Sequence, residues 1–195
     1  MGRDMRLISV NVGRPREIGK VRGIPVESAI HKISVKGPVA VKKLNLDGDW
    51  QADLTVHGGE DKAAYAYPSE HYEYWMDKFP GREMPWGMFG ENLTTQGLME
   101  DDVHTGDSLL IGTAAFVVTR PRLPCFKLGI KFGTNAMLKW FLESERTGFY
   151  MGVSKEGRVE AGDTIHLVRT NKESQTIASI VRRAKKKGGE KVAVA

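Results

Sequence analysis

The stretch "GDSLLIGTAAFVVT", residues 106–119, places two short apolar runs on either side of Gly112. Short runs rich in apolar and β-branched residues, parted by a glycine, read as a β-hairpin. The same opening, Gly-Asp ahead of an apolar strand, returns at 162–163. Outward from the hairpin the pattern continues. "MRLISVNVG" (5–13) alternates as a first strand, with Leu7, Ser9 and Asn11 opposite Ile8, Val10 and Val12. "GIPVESAIHKISVKGPVAVKKLNL" (23–46) reads as loop and then strand, interrupted at Gly37-Pro38. "DGDWQADLTVHGG" (47–59) continues as strand, and "GFYMGVSKEGRVEAGDTIHLV" (148–168) supplies two more around Gly157.

Only two segments carry a clear helical period. In "PSEHYEYWMDKF" (68–79), Tyr72, Trp75, Met76 and Phe79 fall at i, i+3, i+4 and i+7, and Pro68 suits a first turn. In "TNAMLKWFLESER" (134–146), Met137, Leu138, Phe141 and Leu142 form one stripe, with Gly148 just beyond as a stop. Many glycine-bounded strands against two helices predict a mainly-β fold, a barrel or sandwich with peripheral helices, over residues 1–168. Residues 169–195 are expected as a basic tail, partly helical through Ile177, Ile180 and Val181 and otherwise disordered, and dispensable for the fold.

Charge supports that division. The net charge is +5, and residues 171–195 carry seven Lys/Arg against two Glu. The first 170 residues hold 22 of each sign, so the body is neutral and a nucleic-acid role would rest on the tail alone. No apolar run reaches the roughly 18 residues needed to cross a bilayer. The N-terminus lacks the apolar block of a secretory signal, which predicts a cytoplasmic protein without a membrane partner.

The hairpin runs directly into "TRPRLPCFKLG" (119–129), which holds the only cysteine, Cys125. Pro121 and Pro124 stiffen this loop, and Arg120, Arg122 and Lys127 would favour a thiolate if they face it. A stiff cationic loop presenting a soft sulfur suits a soft-metal site or a sulfur carrier. An inert buried thiol is the competing expectation. Five histidines are scattered singly and no cysteine pair exists, so no zinc site is expected. No Walker or dinucleotide glycine loop and no GxSxG elbow occurs. In "HGGEDKAAYAY" (57–67), Lys62 follows paired glycines, as in an anion nest or a simple turn. In "MFGENLTTQG" (88–97), Asn92, Thr94 and Thr95 offer hydrogen-bonding groups to a cleft, or serve a turn.

Together these stretches resemble the MOSC family, named for the C-terminal domain of molybdenum cofactor sulfurase. The matching parts follow the family order: "GIPVESAIHKISVKGPV", "HGGEDKAAYAYPSEHYEYW", "FGENLTTQGL", "GDSLLIG", "PRLPCFKL", then "RTGFYMGV" and "GRVEAGDTIHLV", over about 22–168. The chain is similar to stand-alone bacterial members, among them reductases of N-hydroxylated purines and amidoximes and proteins of metal–sulfur cluster biosynthesis. The resemblance implies a MOSC-type β-barrel with one functional cysteine, Cys125, ligating the molybdenum of a molybdopterin cofactor. Lys62, Asn92, Thr94, Arg120 and Arg122 would hold cofactor or substrate. Such a reductase would take electrons from a partner protein and act on a small molecule. The alternative is a carrier holding persulfide on Cys125, supplied by a cysteine desulfurase-type donor, because no pyridoxal-phosphate domain fits in this chain.

Overall fold

A computed structural model of the chain describes residues 4–50, 59–169 and 173–186. Twelve strands follow in order: β1 (Arg6–Val12), β2 (Arg16–Val21), β3 (Ile24–Ser28), β4 (Ile33–Val35), β5 (Val39–Val41), β6 (Ala64–Pro68), β7 (Leu93–Gln96), β8 (Ser108–Ile111), β9 (Ala114–Pro121), β10 (Phe149–Lys155), β11 (Gly157–Val159) and β12 (Ile165–Val168). A single 3-10 turn, Glu60–Lys62, precedes β6. The helices are α1 (His71–Lys78), α2 (Phe126–Phe132), α3 (Ala136–Ser144) and α4 (Ile177–Lys186).

The hairpin read from residues 106–119 forms as expected, with Leu109 opposite Phe116 and Ile111 opposite Ala114. Gly112 is required at its turn. Its φ is 57°, and a Cβ there would lie 2.4 Å from the Arg158 carbonyl oxygen. The hairpin belongs to an eight-stranded sheet in the order β12-β8-β9-β10-β6-β7-β1-β4, antiparallel except where β6 runs parallel to β7. Two smaller ladders, β5–β11 and β2–β3, flank it.

The sheet curls until the β12 edge reaches the start of β1, the strand next to the opposite edge. The Leu7 amide donates to Asp163 O (2.9 Å) and the Ile165 amide to Met5 O (2.8 Å). The mainly-β expectation therefore holds, but among the described residues no continuous strand pair closes a barrel. β12 and β1 are joined at an isolated bridge between Arg6 and Thr164, because the Gly162-Asp163 turn occupies the place where a ladder would continue.

Two cores result. Inside the curled sheet the packing is mostly aliphatic, with Leu7, Val10, Leu93, Leu109, Ile111 and Val118 buried. Against its outer side α1, α2 and α3 pack an aromatic cluster of Tyr67, Tyr72, Trp75, Phe89, Phe132 and Phe141. Tyr67 stacks on Phe89 at 4.5 Å and accepts a hydrogen bond from Trp75 Nε1 (2.7 Å).

Several local expectations shift. Pro68 ends β6 instead of opening α1, and Met76 stays 47% exposed because eight residues bury only the Tyr72–Trp75 side. Glu145, in the left-handed region at φ 60°, caps α3. Gly148 has a different job: at φ 62° it passes so close to β6 that a Cβ would meet Ala66 O at 2.3 Å. α2 is an addition that a seven-residue span containing Gly129 concealed. That glycine lets α2 approach α3, since a Cβ would stand 2.9 Å from Leu138 Cδ1. Of the strand expected over 47–59, residues 51–58 lie outside the described residues.

The largest change concerns the tail. α4 docks: Ile177, Ala178 and Val181 are buried, and Ile177 joins the aliphatic core. The Ile177 and Ala178 amides donate to Val103 O and Glu100 O, so loop carbonyls satisfy the helix N-terminus. Arg182 pairs with Asp101 and Glu145, and Lys185 with Glu145. The segment is partly helical, as expected, but the helix packs against the body instead of standing free of it. Residues 187–195 lie outside the described residues. Among the described residues, no helix is long and apolar enough to cross a membrane.

Candidate functional site

Where β9 gives way to α2, the chain turns through Arg122, Leu123 and Pro124 to Cys125. The Arg122 amide donates to Gly148 O (3.3 Å), which anchors the turn. Cys125 is extended (φ −126°, ψ 166°) and caps α2, its carbonyl accepting from the Leu128 amide (2.9 Å). The thiol-bearing residue is half-buried and lines a cleft of about 120 Å³.

Arg122 supplies the strongest feature of that cleft. Its side chain is buried, 5% exposed, and its guanidinium lies over the rings of Tyr65 (5.6 Å) and Phe141 (5.2 Å). Burial opposes its charge, yet Tyr65, Tyr150 and Cys125 outweigh this and hold it above its ordinary pKa. Among the described residues its Nη1, which is shielded from solvent, has no hydrogen-bond partner. A buried donor left unmet normally costs free energy, so this cleft-lining residue carries a hydrogen-bonding demand that the described fold does not meet.

The facing wall comes from the segment after β3 (Ser28, Ala29, Ile30, Lys32) and from Asp49 and Trp50. Asp49 is the knot of this wall. Its Oδ1 accepts from the Gly13 amide (2.7 Å) and from Lys32 Nζ, and its Oδ2 accepts from Asn92 Nδ2 (2.8 Å). Burial lowers the Lys32 pKa, with Asp49 opposing the shift. Asn92 Oδ1 accepts from the Tyr65 amide (3.1 Å). Asn92 thus lines the cleft while both ends of its amide are engaged within the fold.

Below the cleft, Glu91 is fully buried and organises the 87–91 loop. It accepts from the amides of Gly87 (2.8 Å) and Phe89 (3.0 Å), from Thr94 Oγ1 (3.0 Å) and from the Tyr72 hydroxyl. Lys131 of α2 donates to Ile30 O (2.9 Å) and Gly87 O (3.0 Å), tying the helix that follows Cys125 to both loops. Burial lowers its pKa to about 7; Glu91 resists, while Arg122, Lys32 and Arg16 add to the fall. His31 is lowered to about 4, by burial and then by Lys131 and Arg16. The site sits in a positive local field although the body of the chain is neutral overall.

Of the residues singled out from sequence, the fold brings Cys125, Arg122, Lys62 and Asn92 to one cleft, with Lys127 beside them. It does not bring Thr94 or Arg120. Thr94 is fully buried between Asn11 and Glu91. Arg120 is exposed and held by Asp61. Lys62 is half-buried at the end of the 3-10 turn; the nest expected before it includes Gly58, which lies outside the described residues. Sequence reading missed Lys32, Asp49, Trp50, Tyr65 and Tyr150, which carry no motif and meet only in three dimensions. Among the described residues no three His, Cys, Asp or Glu side chains gather as a metal cluster.

A family model described as "MOSC domain" matches residues 53–166. The chain is 41% identical over 162 residues to Bacillus subtilis (strain 168) YflK, covering 83% of this chain and 72% of that protein. It is 39% identical over 154 residues to Escherichia coli (strain K12) YiiM, covering 77% and 69%. A Gibberella moniliformis protein named "Reductase" is 34% identical over 165 residues, 83% of this chain but 29% of that longer protein. Among solved structures, YiiM from Geobacillus stearothermophilus superposes with a TM-score of 0.75 at 36% identity, covering 98% of this chain and 94% of that one. YiiM from Escherichia coli gives 0.72 at 28% identity, covering 92% and 77%.

Proposed function

The chain belongs to the MOSC domain family, and on that premise we propose that it binds a molybdenum–molybdopterin cofactor through Cys125 and reduces N-hydroxylated compounds with electrons from a partner protein. One observation carries the reading: a single soft sulfur shares its cleft with a buried arginine whose Nη1 lacks an acceptor. The donor set fits the group. Thiolate sulfur is a suitable ligand for a soft metal centre, and Arg122, Lys62 and Lys127 would balance the negative charge of phosphate and dithiolene. Bound there, the cofactor would supply the two-electron, oxygen-accepting chemistry that cleavage of an N–O bond requires.

The protein's own contribution is to hold that charge and shape the space around it. Arg122 is held by its backbone hydrogen bond and its ring contacts, so its guanidinium would meet an anion with little further ordering cost. The Lys32–Asp49–Asn92 knot fixes the opposite wall. Tyr65 and Tyr150 have their pKa values raised, chiefly by burial, and stay neutral phenols beside the guanidinium.

A second reading, a persulfide carrier, uses the same sulfur. The exposed Leu123 and Phe126 flanking Cys125 favour it, since they leave the thiol open to a macromolecular donor. The deciding experiment is metal analysis and intact-mass measurement on protein from a molybdopterin-competent host. Molybdenum present in the wild type, lost at least tenfold in Cys125→Ser at nearly unchanged melting temperature, supports the reductase reading. A sulfur adduct on Cys125 without molybdenum would move the assignment to the carrier.

A further inference from the structure

The β2–β3 ladder grows from the wall of the Cys125 cleft and is itself almost unburied. Among the six residues of β2 and the five of β3, only Ser28 is buried. Both feet of this arm belong to the cleft wall. The Gly13 amide, before β2, donates to Asp49 Oδ1 (2.7 Å), and Ser28, Ala29 and Ile30, at the end of β3 and beyond, line the cleft. The arm leans on α2 through Gly19, where a Cβ would lie 3.1 Å from Ile130 Cγ2, and Ile18 packs against the aromatic core. Its far end is a tight turn with Arg22 at φ 51° and Gly23 at φ 82°, a geometry that suits the twist of two paired strands.

A lone two-stranded hairpin is marginal in water, yet this one leaves its apolar tip in solvent. Val21 and Ile24 face each other across the last rung and are 42% and 69% exposed. Along the arm run Arg14, Arg16, Lys20 and Arg22, all exposed. Among the described residues none of these four is in an ion pair, unlike Arg120 and Arg182. Glu17 and Glu27 oppose each other on the ladder, so the arm carries four cations against two anions. An apolar contact point flanked by unpaired charge is the anatomy of a protein interface. The sign of that charge restricts the partner. A two-fold contact between copies would set a net positive surface against itself, whereas an acidic surface would be attracted. A nucleic-acid backbone would satisfy the cations but leave Val21 and Ile24 in water.

We propose that the β2–β3 arm is the docking surface for the electron-donating partner, an acidic redox protein that covers Val21 and Ile24 and sets carboxylates against Lys20 and Arg22. The partner's role as electron donor rests on the reductase reading; the acidic docking surface does not. The donor gives two electrons for each N–O bond cleaved, and with two protons from solvent these yield the N–H compound and water. Because the arm is rooted in the cleft wall, a protein held at its tip lies beside the opening to Cys125. Arg16, near the foot of the arm, already acts electrostatically on His31 and Lys131. The arm thus selects the donor, and the cleft holds the reacting groups.

The test uses the full chain purified with cofactor, flavodoxin and plant-type ferredoxin as acidic protein donors, and dithionite-reduced methyl viologen as a small donor that needs no docking. Ile24→Asp and Lys20→Glu are compared with wild type and with Leu110→Asp, which changes an exposed apolar residue on β8. Calorimetric binding of a protein donor is expected to weaken about tenfold in Ile24→Asp. In Lys20→Glu its association should slow about tenfold and lose part of its salt dependence. Reduction of benzamidoxime driven by the protein donor should fall about tenfold in the arm variants through the KM for that donor, with viologen-driven reduction unchanged in every variant. Leu110→Asp should match wild type throughout. Absence of binding by both donors, or binding in both arm variants as strong as in wild type, overturns the proposal. A wild-type dimer that Ile24→Asp dissolves overturns it too, assigning the tip to a second copy. Arm-dependent binding without reduction of benzamidoxime by any donor would keep the docking surface and defeat the reductase reading instead.

Discussion

Arg122 and Arg182 are the same residue type put to opposite uses. Arg182, on α4, is exposed and meets two carboxylates, Asp101 and Glu145. Arg122 is buried, lies against aromatic rings, and has one nitrogen without a partner among the described residues. An exposed, paired cation helps hold one helix to another and contributes little to function. A buried cation with unmet hydrogen-bonding capacity is costly unless something arrives to meet it. The basic C-terminal segment drew attention by composition, yet the buried cation with an unmatched nitrogen is in the neutral body.

The largest expected effect tests the structural side of this contrast. A chain ending at Val168 loses the burial of Ile177, Ala178 and Val181 and uncovers part of the aliphatic core. That should cost about 4 kcal/mol and lower the melting temperature by about 10 °C, measured by calorimetry. An unchanged melt would return α4 to the status of a passive tail.

The functional side comes next. Arg122→Met should lower molybdenum content at least tenfold, since charge-assisted bonds are worth about 1.5–3 kcal/mol. Arg182→Met should leave that content alone and shift only the melting temperature. Equal metal loading in both variants would erase the distinction. Lys62→Ala is expected to act in the same direction as Arg122→Met but within about threefold, because a half-buried lysine holds an anion less rigidly than a fixed guanidinium.

A subtler test concerns pH. Lys131 has a folded pKa near 7, below the unfolded value of about 10.4, so between these limits the unfolded chain binds more protons. Stability from this group therefore rises with pH through that window and is lowest below about 7, where the buried ammonium must be kept charged. Urea midpoints should climb from neutral to alkaline pH in the wild type and climb less in Lys131→Met. Parallel curves would mean that Lys131 is solvated as an ordinary surface lysine.

Some of this was legible along the chain. The hairpin about Gly112 was, because a two-residue period and a turn glycine act over neighbouring residues. So was the amphipathic stripe of α1, in which Tyr72 and Trp75 are buried as their spacing requires. α2 was not, since seven residues with an internal glycine hold too little helical pattern to detect. Cys125 stood out through its flanking prolines and cations, all within a few residues.

What the sequence determined by itself was local: the strand-rich composition, the glycine turns, and one stiff cationic loop around one cysteine. The tertiary structure alone decided that Arg122 is buried while Arg120, two residues earlier, is spent on Asp61. It alone brought Lys32, Asp49 and Trp50 across from Cys125, and it alone made α4 part of the core. The reason is physical. Burial and pairing are set by what packs around a side chain, and here those neighbours lie tens of residues away, where no local period or motif can register them.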